Sequence, residues 1–205
     1  MLILASASPR RAQLLTAAGI RFEVQAAEVD ETPMVDEAPE ACVRRLALEK
    51  ARAVAARDPG RPPTSSHGSV PARLVLGADT TVVIDGRMLA KPADAAEARE
   101  MLDQLAGRTH QVLTGVALVG LAEPAVAVAS TAVWFAPMTS KDIAWYIETE
   151  EWQDKAGAYG IQGRISRFVA RVEGSYTNVV GLPVALVCDL LMRYPEGRGA
   201  FGSTP

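Results

Sequence analysis

Two serines and two arginines lie where the first apolar segment of the chain gives way to a helix-like run. Ser6, Ser8, Arg10 and Arg11 belong to the stretch LASASPRRAQLL, in which Ser8 fits a helix N-cap and Pro9 the first helical position. The N–H groups of a first helical turn carry partial positive charge, and hydroxyl and guanidinium groups add donors that match phosphate oxygens. The stretch therefore predicts a phosphate site. An ordinary N-cap followed by two solvated arginines is the alternative.

Two carboxylates are candidates for acid–base or metal chemistry. Asp79 follows an apolar run and a glycine in GADTT, so we expect it at the end of a strand, facing a cleft. A carboxylate there can bind a hard cation such as magnesium or accept a proton from water. Glu31, in the acidic loop VDETPMVDEAPE, is the candidate for a second metal ligand. The alternatives are a turn-capping aspartate and a merely exposed glutamate.

Two lysines and one amide complete the set. Lys50 follows Glu49 in a strongly predicted helix, and adjacent helical residues point about 100° apart, so only one of the two faces a cleft. Lys91 follows a strand-like segment, and Gln162 lies in the Gly-rich loop AGAYGIQG, where its amide can pair with a nucleobase edge. Each of these three residues is weak evidence of a binding site when taken alone, since solvated lysines and a flexible connector give the same sequence patterns. Together they suit a magnesium-bound nucleoside triphosphate.

Composition excludes several other classes of site. The only histidines are His67 and His110, and the two cysteines, Cys42 and Cys188, are far apart, so neither a His-rich zinc site nor Ser–His–Asp catalysis has support. We expect both cysteines to be free thiols. The net charge of −3 and the absence of a long basic stripe argue against nucleic acid as a partner. No apolar run reaches the roughly 20 residues of a membrane helix.

Strand-like and helix-like segments alternate along the chain, which predicts an α/β fold with a mixed sheet. Two long β-rich runs, 109–120 and 125–137, are expected to pair as antiparallel strands. The stretch GSYTNVVG reads as a turn. Residues 1–194 are predicted to form one domain with a surface insertion at 57–73, and 195–205 a flexible tail.

Six segments resemble the Maf family of nucleotide pyrophosphatases, in a match that runs in order from about Leu2 to Leu191. The match extends over nearly the whole chain, and such an ordered set is far more specific than any single motif. The segments are LASASPRRAQLL, LEKARA, GADTTVVIDGRMLAKP, LAGRTHQVLTGVAL, DKAGAYGIQG and GSYTNVVGLP.

The resemblance implies an elongated mixed sheet flanked by helices, with two lobes around a cleft, as in the inosine-triphosphate pyrophosphatase (Maf/Ham1-like) fold. It implies hydrolysis of a nucleoside triphosphate to the monophosphate and pyrophosphate with Mg²⁺ or Mn²⁺. Asp79 would accept the proton of the attacking water, with Glu31 near the metal. Phosphate binding and base selection would then fall to the remaining candidates: Ser6, Ser8, Arg10, Arg11, Lys50, Thr80, Lys91 and Gln162.

Within the family, SPRR, ADT and KAGAYGIQG resemble the members that act on dTTP and UTP, and this chain has all three. The alternatives are a 7-methyl-GTP-type pyrophosphatase and a non-catalytic nucleotide-binding regulator of septum formation and division arrest. Charge, the lack of a long apolar run and the unpaired cysteines favour a cytoplasmic protein with neither nucleic acid nor membrane as partner, and the resemblance leaves a homodimer open.

Overall fold

A single mixed sheet organises the protein. The computed structural model describes residues 1–57 and 73–201. Seven strands, β1 to β7, are described: Leu2–Ala5, Phe22–Val24, Leu74–Ile84, Arg87–Leu89, Thr109–Val119, Ala125–Phe135 and Val169–Glu173. Seven α-helices, α1 to α7, are described: Pro9–Ala17, Pro39–Ala55, Ala95–Leu105, Ser140–Ile147, Tyr176–Val180, Val184–Arg193 and Pro195–Arg198.

The strand order is β2-β1-β3-β5-β6-β7, with β4 also paired to β3. Strand β1 is parallel to β2 and β3, whereas β3–β4, β3–β5, β5–β6 and β6–β7 are antiparallel. The predicted α/β class with a mixed sheet is therefore confirmed, as is the antiparallel pairing of the two long β-rich runs.

One edge of strand β3 carries two short partners with a gap between them. Strand β1 ends at Ala5, opposite Gly77, and β4 joins only at Val82, opposite Leu89. Within the described chain, residues 78–81 therefore have no strand beside them on this edge. The gap leaves polar groups of β3 available to a cleft.

Alternating side chains of the sheet pack against different layers of helices. On one face, Ile3, Val75 and Ala117 form a cluster with Ala47 and Ala51 of α2. On the other face, two larger clusters lie at opposite ends of the sheet, one around α1 and α6 and one around α3 and α4. These two clusters form the lobes on either side of the gap.

Helix α2 lies unusually close to the sheet because two glycines remove the intervening side chains. A Cβ atom on Gly77 would lie 2.0 Å from the Ala47 carbonyl oxygen, and one on Gly115 would lie 2.1 Å from that of Val43. This close packing sets the height of Lys50, one turn beyond Ala47, above strand β3.

Local residues define the starts of several helices. Ser8 is the N-cap of α1 and Pro9 its first residue. At α3, the Asp94 carboxylate accepts from the Glu97 N–H at 2.9 Å. The stretch GSYTNVVG, expected as a turn, instead contains helix α5, because the Ser175 hydroxyl caps it by accepting from the Asn178 N–H.

The beginning of the expected flexible tail packs onto the domain. Helix α7 lies within it, and the Arg21 N–H donates to the Ala200 carbonyl at 2.8 Å. Gly197 permits this packing, since a Cβ there would lie 2.2 Å from the Leu191 carbonyl oxygen. The remaining tail, 202–205, and residues 58–72 of the expected insertion lie outside the described residues, as does His67.

Both cysteines, Cys42 and Cys188, are free, as expected. Over residues 1–57 and 73–201, no helix combines the length and the apolar character needed to cross a membrane.

Candidate active site

A cleft of about 580 Å³ opens at the gap in the sheet between the two lobes. It is walled by the β1–α1 turn, strand β3, helix α2 and the loop that precedes β7. All ten candidate site residues line it: Ser6, Ser8, Arg10, Arg11, Glu31, Lys50, Asp79, Thr80, Lys91 and Gln162. Residues from distant parts of the sequence thus meet in one site.

Asp79 lies at the floor of this cleft, but in the middle of β3 rather than at a strand end. The prediction of a strand end was wrong because β3 runs without interruption through Gly77 and Asp79. The strand that ends beside Asp79 is the neighbouring β1, whose pairing with β3 stops at Ala5, opposite Gly77. The Asp79 carboxylate therefore faces the cleft through the gap, with only 8% of the residue exposed.

The ammonium group of Lys50 bridges two carboxylates. Its Nζ lies 2.6 Å from Asp79 Oδ1 and 2.7 Å from Glu31 Oε1, and the lysine is only 6% exposed. As expected, one of the two adjacent helical charges faces the cleft. It is Lys50, whereas Glu49 forms an ion pair with Arg45 at 3.1 Å.

The loop that carries Glu31 is fastened to helix α2. Arg45 donates to both carboxylate oxygens of Glu37 at 2.7 Å, and to the Thr32 carbonyl at 3.3 Å. Lys91 lies 3.4 Å from Glu31 Oε2. Burial opposes ionisation of Glu31, but the ammonium groups of Lys50 and Lys91 outweigh it and lower the pKa of this carboxyl.

Arg11 is buried, and four of the five N–H groups of its guanidinium are bonded to the protein. Its guanidinium donates to the carbonyls of Gly181 at 2.8 Å and Ala78 at 2.7 Å, and to the hydroxyls of Ser6 and Thr80, both at 3.1 Å. Burial lowers the pKa of Arg11, and Asp79 partly opposes this shift. The Ala78 carbonyl lies in the gap of the sheet, so Arg11 takes the place of a missing strand. This side chain fixes the walls of the cleft.

Arg10 has the opposite surroundings. Among the residues that the structure describes, its guanidinium has no hydrogen-bond partner, and it lines the cleft near Asp154 and Lys155. Burial lowers the pKa of Arg10, and burial together with the charge of Arg10 lowers the pKa of Lys155. Two partly buried cations that disfavour each other are suited to an anionic ligand between them.

The hydroxyl groups of Ser6, Ser8 and Thr80 also differ in how far the protein itself already occupies them with hydrogen bonds. Ser6 Oγ accepts from the Ser8 N–H at 3.2 Å and from Arg11, so its own proton remains to be donated. The Ser8 side chain makes no cap hydrogen bond. Thr80 points to the opposite face of β3 from Asp79, where its hydroxyl lies 2.9 Å from that of Thr114.

Gln162 lies at the rim of the cleft in the loop of residues 154–163, which we call the rim loop. The Gly157 N–H donates to the Ala90 carbonyl at 3.1 Å, beside Lys91. A Cβ on Gly157 would lie 2.8 Å from a methyl group of Val82, so the loop packs directly on β3. The Gln162 amide is exposed and available to a ligand.

The charge of the cleft suits a polyanion that carries a metal ion. Its lining includes five cations and three carboxylates: Arg10, Arg11, Lys50, Lys91 and Lys155, with Glu31, Asp79 and Asp154. Asp79 and Glu31 already converge on one cation, the ammonium of Lys50. Their oxygen atoms are the donors that Mg²⁺ and Mn²⁺ prefer.

The described chain has no group of three or more His, Cys, Asp or Glu that could hold a metal ion by itself. A set of two carboxylates fits Mg²⁺ nonetheless, because this ion keeps several waters and completes its shell with substrate phosphates. The arrangement can therefore hold a metal–triphosphate complex and place a carboxylate beside its phosphates.

Two features of the site were missed by the sequence analysis. Lys155 was not singled out, although it is the only cation of the motif DKAGAYGIQG. Arg11 was grouped with Arg10 as a phosphate ligand, and nothing in the local sequence separates the two arginines. Their difference arises only when Gly181 and Ala78 are brought beside the helix.

Comparison with known proteins agrees with this picture. A family profile described as Maf-like protein matches residues 1–194. The chain is 52% identical over 203 residues to a dTTP/UTP pyrophosphatase of Symbiobacterium thermophilum, with 98% of each chain covered. It is 51% identical to a protein of the same name from Myxococcus xanthus, with 94% of this chain and 92% of the relative covered. A third, from Bacillus cytotoxicus, is 46% identical, with 95% and 96% covered.

Proposed function

The chain belongs to the Maf family, and from this premise we propose that it is a hydrolase that cleaves dTTP and UTP to the monophosphate and pyrophosphate. The observation that carries the proposal is the convergence of Asp79 and Glu31 on one cation position, within a cleft of suitable size and positive charge. The names of the relatives support the choice of nucleotide.

In this proposal the phosphates lie between the β1–α1 turn and the rim loop. Arg10, Lys91 and Lys155 line that space, and a cation beside a phosphate is stabilising because it offsets the charge that develops on the pyrophosphate leaving group. The first-turn N–H groups of α1 and the hydroxyls of Ser6 and Ser8 add donors. Arg11 takes part indirectly, by holding Ser6 and Thr80 in place.

We propose Mg²⁺ or Mn²⁺ as the cofactor, with Glu31 and Asp79 as its protein ligands. When bound, the ion neutralises phosphate charge and polarises the phosphoryl oxygens. The protein's own contribution is to bring the two carboxylates to one position, which Lys50 occupies in the absence of metal, and to fasten the Glu31 loop through the Arg45–Glu37 pair.

Asp79 is the proposed proton acceptor. It is nearly buried, it is held at Oδ1 by Lys50, and it faces the cleft through the gap in the sheet. A water on the carboxylate can lose its proton to Asp79 as it attacks the α-phosphorus, with pyrophosphate leaving on the opposite side. The hydrogen bond from Arg11 to Thr80 holds the other face of β3, so the strand is fixed beneath the carboxylate.

The base would lie toward the rim loop, where the Gln162 amide can pair with the donor–acceptor edge of a pyrimidine. The proposal further places the enzyme in the cytoplasm, without nucleic acid or membrane as partner. A homodimer is the assembly to test, by size-exclusion chromatography with light scattering.

The test is pyrophosphate release by the purified protein with Mg²⁺, across dTTP, UTP, CTP, dGTP and 7-methyl-GTP. Running the reaction in H₂¹⁸O adds the position of attack, since attack at the α-phosphorus puts the label in the monophosphate. We expect fast release from dTTP and UTP with label in the monophosphate.

Preference for 7-methyl-GTP would contradict the pyrimidine assignment but keep the reaction. Label in pyrophosphate would contradict attack at the α-phosphorus. Binding of nucleotide with no release from any of the five would favour the regulator of division over the enzyme.

A further inference from the structure

A buried histidine with no part in the proposed chemistry lies directly behind the rim loop. His110, near the start of β5, is 2% exposed. Its Nε2 and the hydroxyl of Tyr159 share a hydrogen bond of 2.7 Å. The rings of His110, Phe135 and Tyr159 also meet edge to face, with centroids 4.9 to 5.4 Å apart. Tyr159 is therefore held both by packing and by one polar contact.

The polar contact is the more specific of the two. Burial lowers the pKa of His110 to about 4, so the ring is neutral at ordinary pH. Its Nδ1 is buried and has no partner among the described residues. Among the described residues, the contact with Tyr159 is therefore the one hydrogen bond of this ring.

Tyr159 lies three residues before Gln162 in the rim loop and lines the cleft itself. The loop has one anchor at each side of this tyrosine. Before it, the Gly157 N–H is bonded to Ala90, and after it, Glu151 Oε2 accepts from the Arg164 N–H at 2.6 Å. Between these anchors, among the described residues, the hydroxyl of Tyr159 is the one side-chain group of residues 158–162 that bonds to the sheet, through His110.

We infer that the His110–Tyr159 hydrogen bond sets the position of the rim loop, and that both residues thereby determine how strictly the enzyme selects its base. They act as positioning residues, because their effect on the base passes through the loop that carries Gln162. The inference concerns base selection by the site, so it rests on the proposed function.

Substitution of the tyrosine isolates the hydrogen bond from the packing. Tyr159→Phe keeps the ring against Phe135 but leaves Nε2 of His110 buried without its hydrogen-bond partner. His110→Phe keeps an aromatic ring and leaves the tyrosine hydroxyl unpaired. In either variant the loop loses its polar link to β5, and relief of the unpaired group favours conformations in which the loop has moved away.

The experiment compares three variants: Tyr159→Phe, His110→Phe and the double variant. Hydrogen exchange followed by mass spectrometry reports the protection of residues 154–163, and kcat/KM for dTTP relative to CTP reports base selection. We expect at least about threefold faster exchange of the loop and at least about threefold lower selectivity in each single variant, mainly through the KM of dTTP. The double variant should change no more than the larger single change, because both remove one shared interaction.

Leu190→Ala is the matched control, since this core residue of α6 lies in the other lobe. It should lower stability and leave both readouts unchanged, because loss of folded protein lowers the rates for all nucleotides alike. Unchanged exchange of the loop in Tyr159→Phe, or unchanged selectivity despite faster exchange, would overturn the inference. Absence of pyrophosphate release from the wild-type protein would instead overturn the proposed function, and the exchange comparison would still decide the position of the loop.

Discussion

The ammonium of Lys50 lies 2.6 Å from Asp79 Oδ1 and simultaneously 2.7 Å from Glu31 Oε1. A lysine from helix α2 thus holds the position at which two carboxylates converge. The same position suits a divalent cation. In the protein without nucleotide, Lys50 and a metal ion are therefore expected to compete for the two carboxylates.

Replacement of Lys50 by methionine tests this competition. We expect Lys50→Met to bind Mn²⁺ at least about 10-fold more tightly than the wild type in the absence of nucleotide, which corresponds to about 1.4 kcal/mol. Without metal the variant should be less stable, because two carboxylates lose their counter-ion, and Mn²⁺ should raise its Tm more than that of the wild type. Electron paramagnetic resonance titration and thermal unfolding measure the two effects.

Lys91→Met is the control, since Lys91 is exposed and lies 3.4 Å from Glu31 alone. Its Mn²⁺ affinity should stay near that of the wild type. Equal Mn²⁺ affinity of Lys50→Met and wild type would contradict a shared cation position.

Substitutions of the two adjacent arginines are expected to have different effects, on the stability of the fold for Arg11 and on nucleotide binding for Arg10. Arg11→Lys should lower the free energy of unfolding by about 3 kcal/mol, because one ammonium cannot span four acceptors that a guanidinium reaches. Arg10→Lys should change stability by less than about 0.5 kcal/mol but raise the KM for nucleotide, since Arg10 faces the cleft. Urea unfolding without nucleotide and steady-state kinetics are the measurements. Similar stability of the two variants would show that the hydrogen bonds of Arg11 contribute little.

Gly77 is expected to be essential for the close packing of helix α2 on strand β3. Gly77→Ala would place a methyl group 2.0 Å from the Ala47 carbonyl oxygen and force the helix off the sheet. We expect a loss of at least about 2 kcal/mol in the free energy of unfolding, and lower kcat in the protein that remains folded, because Lys50 moves with the helix. Gly199→Ala is the matched control, as a Cβ there meets nothing within 4 Å. Two equally stable variants would contradict the close packing.

The buried His110 gives stability a specific dependence on pH. Its pKa is about 4 in the folded protein against an ordinary value of 6.5, because burial disfavours the charged ring. The unfolded chain therefore binds the proton first, so the contribution of His110 is complete above pH 6.5 and is lost as the pH falls toward 4. Each unit of pKa difference corresponds to about 1.4 kcal/mol.

His110→Gln removes this titration while keeping a polar group. Between pH 7 and 4, stability of the variant should fall less steeply than that of the wild type, as measured by urea unfolding at a series of pH values. Parallel profiles would show that His110 is not buried in its neutral form.

Local features of the fold follow directly from the sequence. The strand at Leu2–Ala5, the Ser8–Pro9 helix start and the Asp94 cap rest on residues within a few positions of one another, so short-range rules identify them. The set of cleft residues was also predictable, but mainly from the resemblance of ordered motifs and less from any single residue.

Features that depend on distant pairing were not predictable. Arg11 donates to Gly181, 170 positions away, and no local pattern distinguishes it from Arg10. Asp79 was expected at a strand end because the sequence shows the glycine before it but not that β1 stops beside an uninterrupted β3. The link between His110 and Tyr159 likewise arises only when β5 and the rim loop meet.

The most direct test of the central claim is the effect of Asp79→Asn on chemistry and on binding, measured separately. Single-turnover hydrolysis of dTTP gives the first, and calorimetric titration with dTTP in the presence of Ca²⁺ gives the second, with Asp85→Asn in the β3–β4 turn as the control. If Asp79 activates the water, the rate should fall by about 100-fold or more while dTTP still binds. A rate within a few-fold of the wild type would contradict the role of Asp79 and, with it, the proposed mechanism.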